Sequence, residues 1–267
     1  ILPRISVLFD NIMRNLGVQG GSLIHIFLGF GCAVPAIIST RTATTHKERL
    51  MVTAMICFAI PCISQTGALL SLLSAYSAWL VVATGLTGAL VFFTVSMVLR
   101  RVFKGSVDPL VLEVPNLLLP EPRAYFKKLW VRIRHFLVDA EGPMLIAVFI
   151  AAILAETGLL LGLGNLLKPV VSGWLGLPEE AVISLILGII RREMSVAPLV
   201  GMNLNPLQMY VGAVVSLLYL PCLSVFAIVA REFNARTAVA ISVGTTFTAL
   251  FVGGVMNHLV LFVQSIF

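Results

Sequence analysis

The chain has 267 residues, 59% of them hydrophobic and 11% charged, with a mean hydropathy of +1.03. Soluble domains carry about 25% charged residues, so this composition excludes a soluble globular protein and reads as an integral membrane protein. The net charge of +6 fits basic cytoplasmic loops rather than nucleic-acid binding.

The chain opens on Ile1 with no visible signal peptide, which suggests a piece of a longer polypeptide. The stretch 22–38 is apolar but short. Gly29, Gly31 and Pro35 interrupt it, so it is expected to be re-entrant from the inside. Leu50 to Leu99 contains no Asp, Glu, Lys, Arg or His. That run, about 75 Å as helix, crosses a hydrocarbon core of about 30 Å twice. Helices are predicted over 49–74 and 78–101, with the turn at Ser74-Ala75-Tyr76-Ser77. Arg100 to Arg134 holds eight of the 18 basic residues. Within it Phe126, Leu129, Trp130 and Ile133 share one helical face, which continues to Phe136 and Leu137. Lys127, Lys128, Arg132 and Arg134 occupy the rest, the pattern of an interfacial amphipathic helix.

The next helix is predicted to open at Gly142-Pro143, where proline is tolerated in the first turn, and to run to about 161. The stretch 181–199 carries Arg191, Arg192, Glu193 and Pro198, a poor lipid-facing span, and is expected to dip in and return. Runs over 208–230 and 237–267 are the last predicted spans. This topology keeps the loops around Arg41–Arg49, Arg100–Arg134 and Arg231–Arg236 on one, cytoplasmic, side. "FAIPCISQ" and "LYLPCLSV" share Pro-Cys, an aliphatic residue and Ser. Each follows an interrupted segment containing a proline, Pro35 in one and Pro198 in the other, which pairs these two prolines in the expected repeat. The expected fold is an all-α polytopic helical bundle with two inverted gate repeats containing broken or re-entrant helices. The expected divisions are 1–103 for the first gate repeat and following helix, 104–140 for the basic loop and interfacial helix, 141–236 for the second gate repeat, and 237–267 for a C-terminal span.

Chemistry is sought where the helices break. A proline inside a helix frees a carbonyl, and in lipid that carbonyl must find a partner or line a polar cavity. Pro61-Cys62 and Pro221-Cys222 fit this description, and Cys32 lies just ahead of Pro35. Thiolates and carboxylates are ligands for first-row transition metals. Cys32, Cys62, Cys222 and Glu193 are therefore the candidate metal-ligating set, and Gly29, Gly31, Pro35, Pro61, Pro198 and Pro221 the candidate gate and helix-break residues. The bland alternatives are a small buried hydrophobe for each Cys and an ion pair with Arg191 or Arg192 for Glu193. Four cysteines in such a chain make no disulfide framework, so free thiols are expected, and Cys57 is read as structural. His25, His258 and Glu156 are weaker candidates. No phosphate loop, serine triad or zinc-protease motif is present, and no enzymatic activity is expected.

The stretch "LFDNIMRNLGVQGGSLIHIFLGFGCAVPAIISTRT" resembles the membrane domain of ferrous iron transport protein B (FeoB). The family gate motif G-F-G-C-x-V-P-A-I reads Gly29 to Ile37 here, followed by Thr40-Arg41-Thr42. Cys62, the basic-basic-acidic element Arg191-Arg192-Glu193 and the Y-x-P-C of Tyr219 to Cys222 are similar to further family elements. The family's N-P-F-M-S-C-S-A-R-L-P differs here, reading "CFAIPCISQTG", with Gln65 at the arginine position. The resemblance implies Fe²⁺ carried as substrate across the bacterial inner membrane, with no permanently bound cofactor. It also implies a GTPase domain in the same or a separate chain, small cytoplasmic Feo partner proteins and a possible homo-oligomer. Two alternatives remain open: a gate-domain transporter of nucleosides or another polar solute, using Gln65 and Asn257, and a membrane scaffold whose partner docks on 100–134.

Overall fold

A computed structural model describes residues 2–43, 45–74, 76–103, 121–138, 168–202 and 204–266, with isolated positions between 142 and 153. The helix expected over 142–161, with Glu156, falls largely outside the described residues. Among these residues the secondary structure is helical, with no strand. Helix α1 (Leu2–Asn15) turns at Gly17 into a 3₁₀ turn, Gly20–Ser22, and then α2 (Leu23–Gly31). Cys32 is extended, with φ −150° and ψ 132°, and separates α2 from α3 (Ala33–Ser39). Pro35 supplies the reason. It has no N–H to give the Gly31 carbonyl four residues back, and its ring crowds that carbonyl. Pro35 itself sits in the first turn of α3, where no such bond is needed.

The helix expected over 49–74 is two helices, α4 (His46–Ala59) and α5 (Ile63–Ser74). Pro61 denies the Cys57 carbonyl its helical partner, and Ile60 turns extended. Thr45 caps α4, accepting from the Glu48 N–H at 3.2 Å. Helix α6 (Ala78–Val102) opens behind the N-cap Ser77, at the predicted turn. Helix α7 (Pro122–Phe136) is the amphipathic helix, with Phe126, Leu129, Trp130 and Ile133 exposed.

The second half repeats this local structure. A π-turn, Val170–Trp174, leads through Gly176 to a 3₁₀ turn, Glu179–Ala181, and then α8 (Val182–Ile190). Arg191 is extended with φ −144° and ψ 132°, almost the conformation of Cys32. A 3₁₀ turn, Arg192–Ser195, and the single turn α9 (Ala197–Val200) follow. The expected helix over 208–230 is again two, α10 (Pro206–Leu218) and α11 (Leu223–Glu232), parted at Tyr219–Cys222. Helix α12 (Ala235–Ile266) closes the described chain. Gly17, Leu23, Cys32 and Cys62 thus stand along the first half much as Gly176, Val182, Arg191 and Cys222 do along the second. The two glycines are the positive-φ residues among those described, at 90° and 67°, a region open to glycine at little cost. The N3 residue of the following long helix ties back to each loop. The Gln19 N–H donates to Glu48 Oε1 at 3.0 Å, and Gln208 Nε2 donates to the Gly176 carbonyl at 3.0 Å. A sequence signal for this match existed in Leu16-Gly17-Val18 and Leu175-Gly176-Leu177. The reading that paired Pro35 with Pro198 passed it by.

The core has two clusters, and each Pro-Cys break sends the chain from one to the other. Leu69, Leu72 and Leu73 of α5 pack with α8, α10 and the 170–177 turn. Val225, Ile228 and Val229 of α11 pack with α2, α3 and α4. Counted through their breaks, four segments among the described residues are long and apolar enough to span a bilayer: His46–Ser74, Ala78–Val102, Pro206–Glu232 and Ala235–Val260. Leu86, Leu90, Phe93 and Met97 form an exposed stripe on α6, and Val243, Phe247 and Phe251 another on α12. Such stripes suit lipid rather than water. The protein is a multi-pass membrane protein.

Gly20 marks the tightest backbone approach in this frame. A Cβ there would lie 2.3 Å from the Ser6 carbonyl oxygen and 2.9 Å from the Asp10 Cα, while the Gly20 N–H donates to Asp10 Oδ1 at 2.8 Å. Backbone cannot rotate away as a side chain can. Gly20→Ala is therefore expected to destabilise by about 1–3 kcal/mol. A lowered thermal midpoint in detergent checks this, and an unchanged midpoint contradicts it.

Candidate functional site

The breaks meet at one cavity of about 200 Å³. Cys32 borders it at the junction of α2 and α3, Cys62 just ahead of α5, and Cys222 at the N-cap of α11. Glu193 borders it from the turn after α8. All four residues proposed as metal ligands from sequence therefore line the same space. All four cysteines of the chain are free; Cys32, Cys62 and Cys222 are partly accessible and Cys57 is buried. Among the described residues no group of three His, Cys, Asp or Glu side chains is close enough to hold one ion together.

The local chain explains these positions. Each cysteine carbonyl begins a helix: that of Cys32 accepts from Ala36 N–H at 3.4 Å, that of Cys62 from Thr66 N–H at 2.9 Å, and that of Cys222 from Phe226 N–H at 3.0 Å. Ser64 and Ser224, each two residues beyond a Pro-Cys cysteine, also line the cavity, and Ser64 Oγ lies 3.3 Å from Cys62 Sγ. The shared C-x-S pattern carried that signal in the sequence. Glu193 is neutralised by Arg191, whose Nε lies 2.8 Å from Oε1. Of the two arginines considered as its partner, the geometry selects Arg191.

Arg192 does something the sequence did not show. It is 6% exposed. Its Nη2 donates to the Cys57 carbonyl, its Nη1 to the Ile60 carbonyl at 3.4 Å, and its Nε to the Leu220 carbonyl at 3.1 Å. The Cys57 carbonyl is the one orphaned by Pro61, and Ile60 and Leu220 directly precede Pro61 and Pro221. One guanidinium from the second half thus satisfies carbonyls at both Pro-Cys breaks.

The remaining candidates fall elsewhere. Pro61 and Pro221 sit in the breaks, and Pro198 in the single turn α9. Gly31 lines the cavity, whereas Gly29 lies against Ile56, where a Cβ would meet its side chain at 3.3 Å. His25 pairs with Ser39 Oγ at 2.7 Å, and the His258 ring lies 5.0 Å from that of Trp174. Gln65 Nε2 donates to the Ser216 carbonyl at 2.6 Å and Asn257 Nδ2 to the Trp174 carbonyl at 3.3 Å.

The family described as "Gate: Nucleoside recognition" matches residues 1–76 and 138–236, so that both broken-helix halves fall within it. The segment between them, residues 81–132, matches the family described as "Ferrous iron transport protein B C terminus". The chain belongs to the FeoB family. It corresponds to the C-terminal permease region of FeoB. The Fe(2+) transporter FeoB of Methanocaldococcus jannaschii is 28% identical over 89% of this chain and 41% of its own length. That of Synechocystis sp. is 29% identical over 91% of this chain and 44% of its own. That of Staphylococcus aureus is 24% identical over 97% and 44%. The chain thus spans less than half the length of these FeoB relatives. No solved structure matches it. The stretch Gly29–Ile37, which resembles the FeoB gate motif, covers the α2–α3 break, with Cys32 between the two helices.

Proposed function

We propose that the chain is a permease for ferrous iron, with Fe²⁺ passing through two Cys-containing gates. The observation that carries this reading is the convergence of Cys32, Cys62, Cys222 and Glu193 on one cavity at the breaks of both halves. Sulfur and carboxylate donors suit a first-row divalent ion. Because no three of them are gathered around one point, the ion is handed between ligands, or the ligands close on it as the gates move. The matched broken halves act as inverted repeats, entering the membrane from opposite faces and rocking about the cavity. The similarity to Fe(2+) transporters of the FeoB family supports the substrate. The same likeness supports the bacterial inner membrane as the location and a GTPase domain, small Feo proteins and a second copy as partners.

A nucleoside is the weaker reading. A cavity of about 200 Å³ is below the usual range of about 300–1,000 Å³ for small-molecule sites. The amide nitrogens of Gln65 and Asn257, the residues that reading needs, are engaged by backbone carbonyls. The deciding measurement is anaerobic uptake into proteoliposomes with Fe²⁺, Zn²⁺ and Mn²⁺ in competition. Saturable Fe²⁺ entry, outcompeted poorly by Mn²⁺, is expected. Nucleoside entry without any metal entry overturns the proposal.

A further inference from the structure

Arg192 is a buried cation, and among the described residues no carboxylate pairs with it. A buried charge without a counterion is costly, and this one is offset by backbone dipoles. Its three recorded bonds all go to main-chain carbonyls, at Cys57, Ile60 and Leu220. Carbonyls at unwound helix breaks are also what a dehydrated cation seeks in a membrane protein. The guanidinium reaches them from the wall of the cavity bordered by Cys62 and Cys222. Its backbone is held by the 3₁₀ turn in which Ser195 Oγ donates to the Arg192 carbonyl at 2.6 Å.

We infer that Arg192 is a tethered cation that holds both Pro-Cys breaks shut, and that the transported metal ion must displace it from these carbonyls to pass. The inference rests on the permease reading above and deepens it. Two cations cannot share one set of carbonyls, because like charges repel strongly where the dielectric is low. A divalent ion arriving at the thiols therefore destabilises the Arg192 contacts. Loss of those contacts frees carbonyls of both halves at once. The first-half break (Cys57, Ile60) and the second-half break (Leu220) are then released together, which couples the two gates through one side chain. A ligand shifts such an equilibrium only by its preference for one state. The preference here is the exclusion of metal from the Arg192-bound state.

Arg192 is a positioning residue, and its test needs readouts that simple loss of packing does not move. In proteoliposomes without metal, Arg192→Gln is expected to raise passive monovalent-cation leak and the alkylation rates of Cys62 and Cys222 by about ten-fold, the scale of a lost charged hydrogen bond. Arg192→Lys keeps a cation and is expected to stay near the wild type in leak. A folded Arg192→Gln protein that is as tight and as slowly alkylated as the wild type overturns the inference. Should Arg192→Gln not fold, wild-type protein still decides. Phenylglyoxal modification of Arg192, read by mass spectrometry, is expected to rise several-fold on adding Fe²⁺ under anoxia, while that of Arg191 changes little. Protection of Cys62 and Cys222 by Fe²⁺ with no change at Arg192 overturns the displacement. Absence of both effects, with Arg192→Gln still leaky, overturns the displacement step and the iron reading while leaving Arg192 as the element that shuts the two breaks.

Discussion

Fe²⁺ uptake by a Cys32→Ser/Cys222→Ser double variant is expected to fall by at least about ten-fold, the lower end of what even outer-shell changes cost at metal sites. Serine preserves size but exchanges a soft sulfur donor for a hydroxyl. Cys32 sits at the first-half break and Cys222 at the second, both partly accessible on the same cavity. An ion passed between the halves meets both. Single variants are expected to show smaller losses, because the remaining thiols and Glu193 still offer ligands. Both cysteines are partly buried against the cluster formed by α2, α3, α4 and α11, but serine is close to cysteine in size, so expression should hold and the melting temperature should fall only slightly. Wild-type uptake by the double variant sinks the coordination reading and leaves the Pro-Cys pairs as hinges.

Glu232→Ala is expected to be the most destabilising single change in the described charged network. Its carboxylate, with a side chain 3% exposed, closes α11 onto the first half. Arg41 Nε donates to Glu232 Oε2 at 2.8 Å, Arg41 Nη2 pairs with Oε1, and Arg49 Nη2 donates to Oε2 at 3.1 Å. The Arg49 guanidinium also lies 5.2 Å from the centre of the Phe233 ring. Removal of the carboxylate takes away the anion that the two guanidinium groups share. Breaking a buried pair in this way costs about 3–5 kcal/mol, and the lower end applies because the Arg41 side chain is 61% exposed. Arg49→Ala, at a side chain 21% exposed, should cost less, and Arg41→Ala less still, about 1 kcal/mol or under. Thermal unfolding in detergent measures the order Glu232, Arg49, Arg41. A reversed order means that the exposed Arg41 contact carries the network.

Much of this protein was legible from the sequence, and for a physical reason. Apolar length against the bilayer places spans such as Ala78–Val102, and alternation of Trp130 and Ile133 with Lys127, Lys128, Arg132 and Arg134 marks α7. These are local properties of solvent exposure. Pro61 and Pro221 announce their breaks because a missing N–H acts on the carbonyl four residues back whatever else surrounds it. The sequence likewise singled out Cys32, Cys62, Cys222 and Glu193 by donor type.

Tertiary structure alone decided what those breaks are for. Nothing periodic in the chain says that Arg191 adopts the extended conformation of Cys32, since the two residues share no chemistry; the sequence pointed instead to Pro35 and Pro198. Nor does any local signal show that α5 leaves the first half to pack on α8 and α10 while α11 packs on α3 and α4. Those contacts join residues far apart in the chain, and their stabilisation comes from burying apolar surface between halves. The same holds for Arg192. Its sequence neighbour Glu193 looks like its partner, but Arg191 takes that carboxylate. Burial sends the Arg192 guanidinium to carbonyls at the two distant breaks, among them the Cys57 carbonyl that Pro61 leaves without its helical partner.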